Sequence, residues 1–168
     1  MTDQRRTIHQ VLANARARYR RLAPSEAFAA MRAGAVLIDT RTDRQRGRDG
    51  DIPGAVVIDR TVLEWRVDPA SGARHPAIAS LEVPLILLCA QGYSSSLAAA
   101  SLLNLGACDV TDVIGGFEAW QAAGLPVGPV SAQSLDEEAA GTAGGAARDS
   151  GSHRQGDDSQ VAYLRPIP

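Results

Sequence analysis

No lysine occurs among the 168 residues, so apart from three histidines all 17 basic side chains are arginines, a bias that implies nothing about the fold. Cysteine is scarce too. Cys89 and Cys108 stand in different contexts without a CxxC spacing, and the histidines are scattered, which excludes a disulfide framework and gives no metal-ligand pattern. The net charge is only −2, and no block of like charge forms a basic arm, so nucleic-acid binding is disfavoured. The longest apolar run, residues 83–89, is interrupted by Pro84 and falls far short of the roughly 20 residues that cross a bilayer. Residues 1–6 are polar with no signal-peptide core behind them. These absences predict a soluble protein of the reducing cytoplasm, with no membrane or nucleic-acid partner.

What is present is a single globular domain with additions at both ends. Over residues 7–21, Ile8, Val11, Leu12, Ala15 and Tyr19 recur at spacings of three and four, so residues 1–21 are predicted to hold one amphipathic helix. Its arginines, Arg16, Arg18 and Arg20, are expected on a solvated face, the alternative being contact with an acidic lipid surface or partner. A second helix should start at Pro24 or Ser25 and stop at Gly34. Four short apolar runs then end at Asp39, Asp59, Cys89 and Gly115-Gly116, each reading as a strand buried on both faces. Helical patterns lie between them, clearest over residues 94–105 ahead of Gly106. Strands alternating with helices predict an α/β fold, a parallel sheet flanked by helices on both faces. Residues 128–168 are Gly, Ala, Ser and Asp with few large apolar side chains, the composition of a disordered low-complexity tail. Its more apolar last eight residues either hang free or dock on a protein partner or on the domain.

In an open parallel sheet, ligands bind beyond the carboxyl ends of the strands. Of the four strand ends, only Cys89 offers a nucleophile. Behind it Ala90, Gln91, Gly92, Tyr93, Ser94, Ser95 and Ser96 form a small-residue loop that runs into a helix. With Gly92 at positive φ, several backbone N–H groups turn towards the sulfur, and the helix dipole adds to their field. Such a setting favours the reactive thiolate. The alternative is that Cys89 is simply the last buried residue of its strand. Cys108, in a turn without such donors, is read as structural.

Three segments, in order, resemble the rhodanese family. The first is Leu37-Ile38-Asp39-Thr40-Arg41 followed by Gly50-Asp51-Ile52-Pro53-Gly54-Ala55; the second is the Cys89 loop with its helix; the third is Gly115-Gly116-Phe117-Glu118-Ala119-Trp120 with Gly124-Leu125-Pro126. Together they place a rhodanese-like domain at residues 22–127. The resemblance implies a five-stranded sheet, its short first strand near residues 21–23. It also implies that Cys89 attacks the outer sulfur of a donor such as thiosulfate or a persulfide. The sulfur is held as a persulfide and passed to a thiol or cyanide acceptor, a ping-pong reaction needing no cofactor.

The departures bear on the same site. The family's active loops often carry an arginine where this chain has Ser94 and a basic residue where it has Ala90. Related phosphatases and arsenate reductases need an arginine where Ser95 stands, which argues against both activities. Asp51 replaces the histidine of the turn motif. Arg66, beside Trp65 in the long crossover, is therefore a candidate to reach over the loop as the missing cation; the alternative is an exposed arginine face. Asp39 and Arg41 are read as a structural pair near the site, and Ser94 and Ser95 either bind the substrate or cap the helix. The functional choice lies between a sulfurtransferase and a non-catalytic rhodanese-like module that binds a partner or senses sulfur or oxidant.

Overall fold

The computed structural model describes residues 5–130. Helix α1 (Ile8–Arg16) is followed by α2 (Pro24–Arg32), β1 (Val36–Asp39), α3 (Asp43–Asp49) and β2 (Val56–Val57). After a 3-10 turn come α4 (Leu63–Val67), β3 (Leu85–Leu88), α5 (Ser94–Leu105), β4 (Val110–Asp112) and α6 (Gly116–Ala122). None of the helices among the described residues is long and apolar enough to cross a membrane.

All strands are parallel, in the order β2-β1-β3-β4. The two-residue period of a strand sends Leu85 and Leu87 to one face and Ile86 and Leu88 to the other. On the first face they pack with Leu63 and Val67 of α4 and Ala98, Ala99 and Leu102 of α5; on the second with Ala27 of α2 and Phe117 and Trp120 of α6. The continuous apolar runs thus follow from burial on both faces.

The expected first strand is reduced to one residue. Leu22 bridges Val113, the residue directly after β4, in parallel, its N–H donating to the Asp112 carbonyl (3.0 Å) and its own carbonyl accepting from Ile114 (2.9 Å). Pro24 starts α2 two residues later, which leaves no length for a longer strand. The sheet therefore has four strands and a bridge where five strands were expected.

At the amino end the helix is shorter than its apolar stripe. Thr7 caps it through the Gln10 N–H, and it stops at Arg16. Leu12 and Ala15 are buried where α1 packs on α5, whereas Ile8 and Val11 are exposed. Nor are its arginines all solvated. Arg18 and Arg20 are exposed, but Arg16 is half-buried and reaches the Cys89 loop, because one flank of the helix is pressed against the start of α5. At the other end, Gly128 exchanges backbone hydrogen bonds with Asp51 (2.8 and 3.0 Å), so ordered pairing continues one residue past the expected boundary at 127. The expected tail otherwise falls, from residue 131 on, outside the described residues.

Candidate active site

Cys89 follows directly on β3 and is only 5% exposed. Three donors or hydroxyls close on its sulfur: the Gly92 N–H at 3.2 Å, the Ser95 N–H at 3.4 Å and the Ser95 Oγ at 3.3 Å. The N–H groups face inward because the loop's carbonyls are held elsewhere. Phe117 and Glu118, in the first turn of α6, donate their N–H groups to the carbonyls of Cys89 (2.8 Å) and Ala90 (3.0 Å). The two chain segments lie so close that a Cβ on Gly116 would stand 2.3 Å from the Cys89 carbonyl oxygen and 2.6 Å from the Gly92 nitrogen. Gly92 itself has φ +76°, and Gly116 has φ +60°. The glycines of both motifs thus permit the cradle.

Burial pushes the Cys89 thiol up, but hydrogen bonds from the Ser94 and Ser95 side chains and from loop N–H groups outweigh it and leave the thiol below its ordinary value. Ser95 has a second partner, since its Oγ lies 3.0 Å from Oδ2 of Asp112, a fully buried residue at the end of β4. Asp112 also accepts from Ser96 Oγ at 2.8 Å, from Arg21 Nε at 2.7 Å and from the Tyr19 hydroxyl at 3.2 Å. In the sequence Asp112 is one polar residue inside an apolar run, and only its neighbours in the fold reveal it.

At the rim, Gln91, Tyr93 and Ser94 are exposed. Gln91 donates to Glu118 at 2.9 Å, and the Tyr93 ring lies beneath the Arg16 guanidinium at 5.6 Å. Asp39 and Arg41 form a buried ion pair (2.7 Å) beside the site, with Arg41 also donating to the Gly50 carbonyl at 2.9 Å and stacked on Phe117 at 3.6 Å. Asp51, the residue in place of a histidine, is paired with Arg46 at 3.1 Å. Cys108 lies exposed on the turn between α5 and β4.

Arg66, the residue expected over the loop, makes a hydrogen bond within its own crossover. The turn after α4 folds back, His75 donating its N–H to the Arg66 carbonyl (2.8 Å), and the Arg66 guanidinium is taken up by the Ala73 carbonyl at 3.2 Å. Its neighbours are likewise engaged within the crossover, Arg60 with Glu64 (3.0 Å) and Arg74 with the Ile78 carbonyl. Two cations that touch the loop are Arg16 and Arg21, which donate to the Gly92 carbonyl at 2.8 and 3.0 Å.

The model of the rhodanese-like domain matches residues 23–123, including β1, the Cys89 loop and the Gly115-Gly116 turn. The chain belongs to the rhodanese-like family. Among its relatives, the thiosulfate sulfurtransferase GlpE of Pseudomonas savastanoi pv. phaseolicola is 38% identical over 104 residues, which are 62% of this chain and 89% of that protein. GlpE of Stutzerimonas stutzeri is 37% identical over 103 residues, 61% of this chain and 85% of that one. Among solved structures, a Rhodopseudomonas palustris protein named as a possible tyrosine phosphatase superposes with a TM-score of 0.68 at 33% identity, covering 73% of this chain and 95% of its own. Against this rhodanese-like background, Arg16 and Arg21 both precede the matched residues.

Proposed function

We propose that this chain is a sulfurtransferase that carries sulfane sulfur as a persulfide on Cys89. The observation behind the reading is the convergence of two backbone N–H groups and one hydroxyl on a single buried sulfur. Such a cradle stabilises an anion without a cation in the loop itself. The GlpE relatives, named as thiosulfate sulfurtransferases, support the same class of reaction.

In the first half-reaction the Cys89 thiolate attacks the outer sulfur of thiosulfate. A sulfur–sulfur bond forms to Cys89 while the donor's own sulfur–sulfur bond breaks, and sulfite leaves with the electron pair. The terminal persulfide sulfur carries the negative charge and takes over the inward N–H groups of Gly92 and Ser95. In the second half-reaction cyanide or a thiolate attacks that terminal sulfur, and Cys89 departs as the thiolate. A persulfide donor follows the same course with a thiolate as leaving group. Ala90, Gln91, Gly92, Tyr93, Ser94 and Ser95 line the donor's approach, with Gln91, Tyr93 and Ser94 at its exposed rim.

A phosphatase reading, which the R. palustris neighbour brings up, has less support. Where a phosphate clamp requires a guanidinium fork, this loop has a Ser95 hydroxyl backed by the Asp112 carboxylate, and a second anion there repels a phosphate dianion.

The test is intact mass after incubation with thiosulfate, and separately with a low-molecular-weight persulfide, for wild type and Cys89→Ser. The reading expects a gain of one sulfur that is absent from the variant and released by cyanide. No adduct from either donor, in folded and reduced protein, would replace the enzyme with the non-catalytic module.

A further inference from the structure

The Gly92 carbonyl is an unusually crowded acceptor. It takes hydrogen bonds from two guanidinium groups, Arg16 Nη2 (2.8 Å) and Arg21 Nη2 (3.0 Å), and Ser96 Oγ, whose proton goes to Asp112, lies 3.2 Å from it. Arg21 simultaneously grips Asp112 with Nε on Oδ1 (2.7 Å) and Nη2 on Oδ2 (3.0 Å). The Asp112 side chain is wholly buried and that of Arg21 is 17% exposed, so the pair sits under the loop rather than on the surface. Burying two charges is costly, and a hydrophobic pair of the same size serves stability as well or better. The placement of this pair therefore calls for another role, and its two ends supply one. Arg21 contacts the peptide that follows the Gly92 N–H, and Asp112 contacts the hydroxyl beside the sulfur.

We propose that the buried Arg21–Asp112 pair sets the ionisation of Cys89, Arg21 acting as the positioning cation that stands in for the arginine absent from the loop. The inference rests on Cys89 being the sulfur-carrying nucleophile. Arg21, with Arg16, draws the Gly92 carbonyl away from the sulfur, which leaves the Gly92 N–H aimed at it, and its positive charge favours the thiolate across the thickness of the loop. Asp112 opposes ionisation and works through Ser95. In the thiol, S–H donates to Ser95 Oγ and the Ser95 O–H donates to Asp112 Oδ2. On ionisation the thiol proton passes to solvent, the Ser95 O–H turns to the sulfur, and Asp112 keeps Ser96 and Arg21 as donors. Burial opposes the charge on Arg21, yet its bonds to Asp112, followed by attraction to Tyr19 and Cys89, hold it protonated.

The other charged or titratable groups around the loop are already committed. Arg16 faces it from α1 and Tyr19 from the segment between α1 and α2; Glu118 of α6 is bound by Gln91; Asp39 at the end of β1 is closed by Arg41. Tyr19 also donates to Asp112 (3.2 Å) and stays neutral over the pH range in which a thiol titrates, so it adds no charge when the pair is altered.

The experiment follows the rate of Cys89 alkylation by iodoacetamide against pH in a Cys108→Ser background, comparing Arg21→Gln and Asp112→Asn with the parent. Loss of Arg21 is expected to move the midpoint upward and to slow alkylation at neutral pH about tenfold, one pH unit of midpoint. Loss of the Asp112 charge is expected to move the midpoint downward. A pair that merely held the loop in shape would slow both variants alike. Midpoints that stay put, or that move in the same direction, overturn the proposal. If Arg21→Gln does not fold, Asp112→Asn decides alone, and an unmoved or raised midpoint overturns it. Alkylation needs no sulfur donor, so it separates this inference from the sulfurtransferase reading: sulfur loading of the parent without the opposed shifts removes only the former.

Discussion

Arg16 and Gly92, 76 positions apart in the chain, are joined by a hydrogen bond of 2.8 Å from the guanidinium to the carbonyl. The helix that carries Arg16 precedes the matched family domain, yet it packs on α5 and reaches the Cys89 loop from behind. The amino-terminal addition is therefore part of the construction of the site. Four further consequences can be measured.

Replacing Ser95 by alanine removes the hydroxyl that lies within 3.3 Å of the sulfur and 3.0 Å of Asp112. A net hydrogen bond of about 1 kcal/mol corresponds to roughly fivefold in an equilibrium. The Ser95→Ala protein is expected to keep its fold and to alkylate Cys89 several-fold more slowly at neutral pH. A rate equal to that of the parent would show that the backbone N–H groups suffice.

Gly116→Ala and Gly124→Ala make a matched pair. Both positions have positive φ, +60° and +67°, but a Cβ at 116 collides with backbone of the Cys89 loop whereas nothing lies within 4 Å of one at 124. The strain of the left-handed conformation alone costs about 1 kcal/mol. Thermal unfolding should report that modest loss at 124 with sulfur loading intact, and a larger loss at 116 together with failure to load sulfur.

Asp39→Asn leaves the Arg41 guanidinium buried without its counter-charge. Breaking a buried pair in this way costs about 3–5 kcal/mol, to be read as a lower urea midpoint. By contrast, Arg48 and Asp49 pair at the surface, with Arg48 side chain 70% exposed. Asp49→Asn is expected to leave the midpoint where it is.

Tyr19 is held neutral to unusually high pH. Burial, followed by the negative charge of Asp112, raises its hydroxyl from 10.0 to about 12. The folded-state value lies above the unfolded one, so the stabilisation is complete below pH 10 and is lost as pH rises towards 12. Ultraviolet titration of the folded protein should show one phenol with a midpoint near 12, absent from Tyr19→Phe.

Although the edge strand β2 is only half-buried, local patterns in the chain determined the strands, the burial of β3 on both faces, the helix over residues 94–105 and the cysteine at the end of an apolar run. Each of these depends on nearest neighbours and on a repeat of two or about 3.6 residues, and such information is written along the sequence. The length of the first strand was legible only in part, because the effect of Pro24 on an extended segment depends on how soon the helix must begin. Tertiary structure alone decided the electrostatics around Cys89. It turned Arg66 onto Ala73 in its own crossover and brought Arg16, Arg21 and Asp112 under the loop. An arginine on an amphipathic helix and an aspartate in a strand look like solvated residues in sequence, since nothing local distinguishes them. They acquire their role from the packing of α1 on α5 and from the end of β4 lying beneath Ser95, contacts between residues that are distant in the chain.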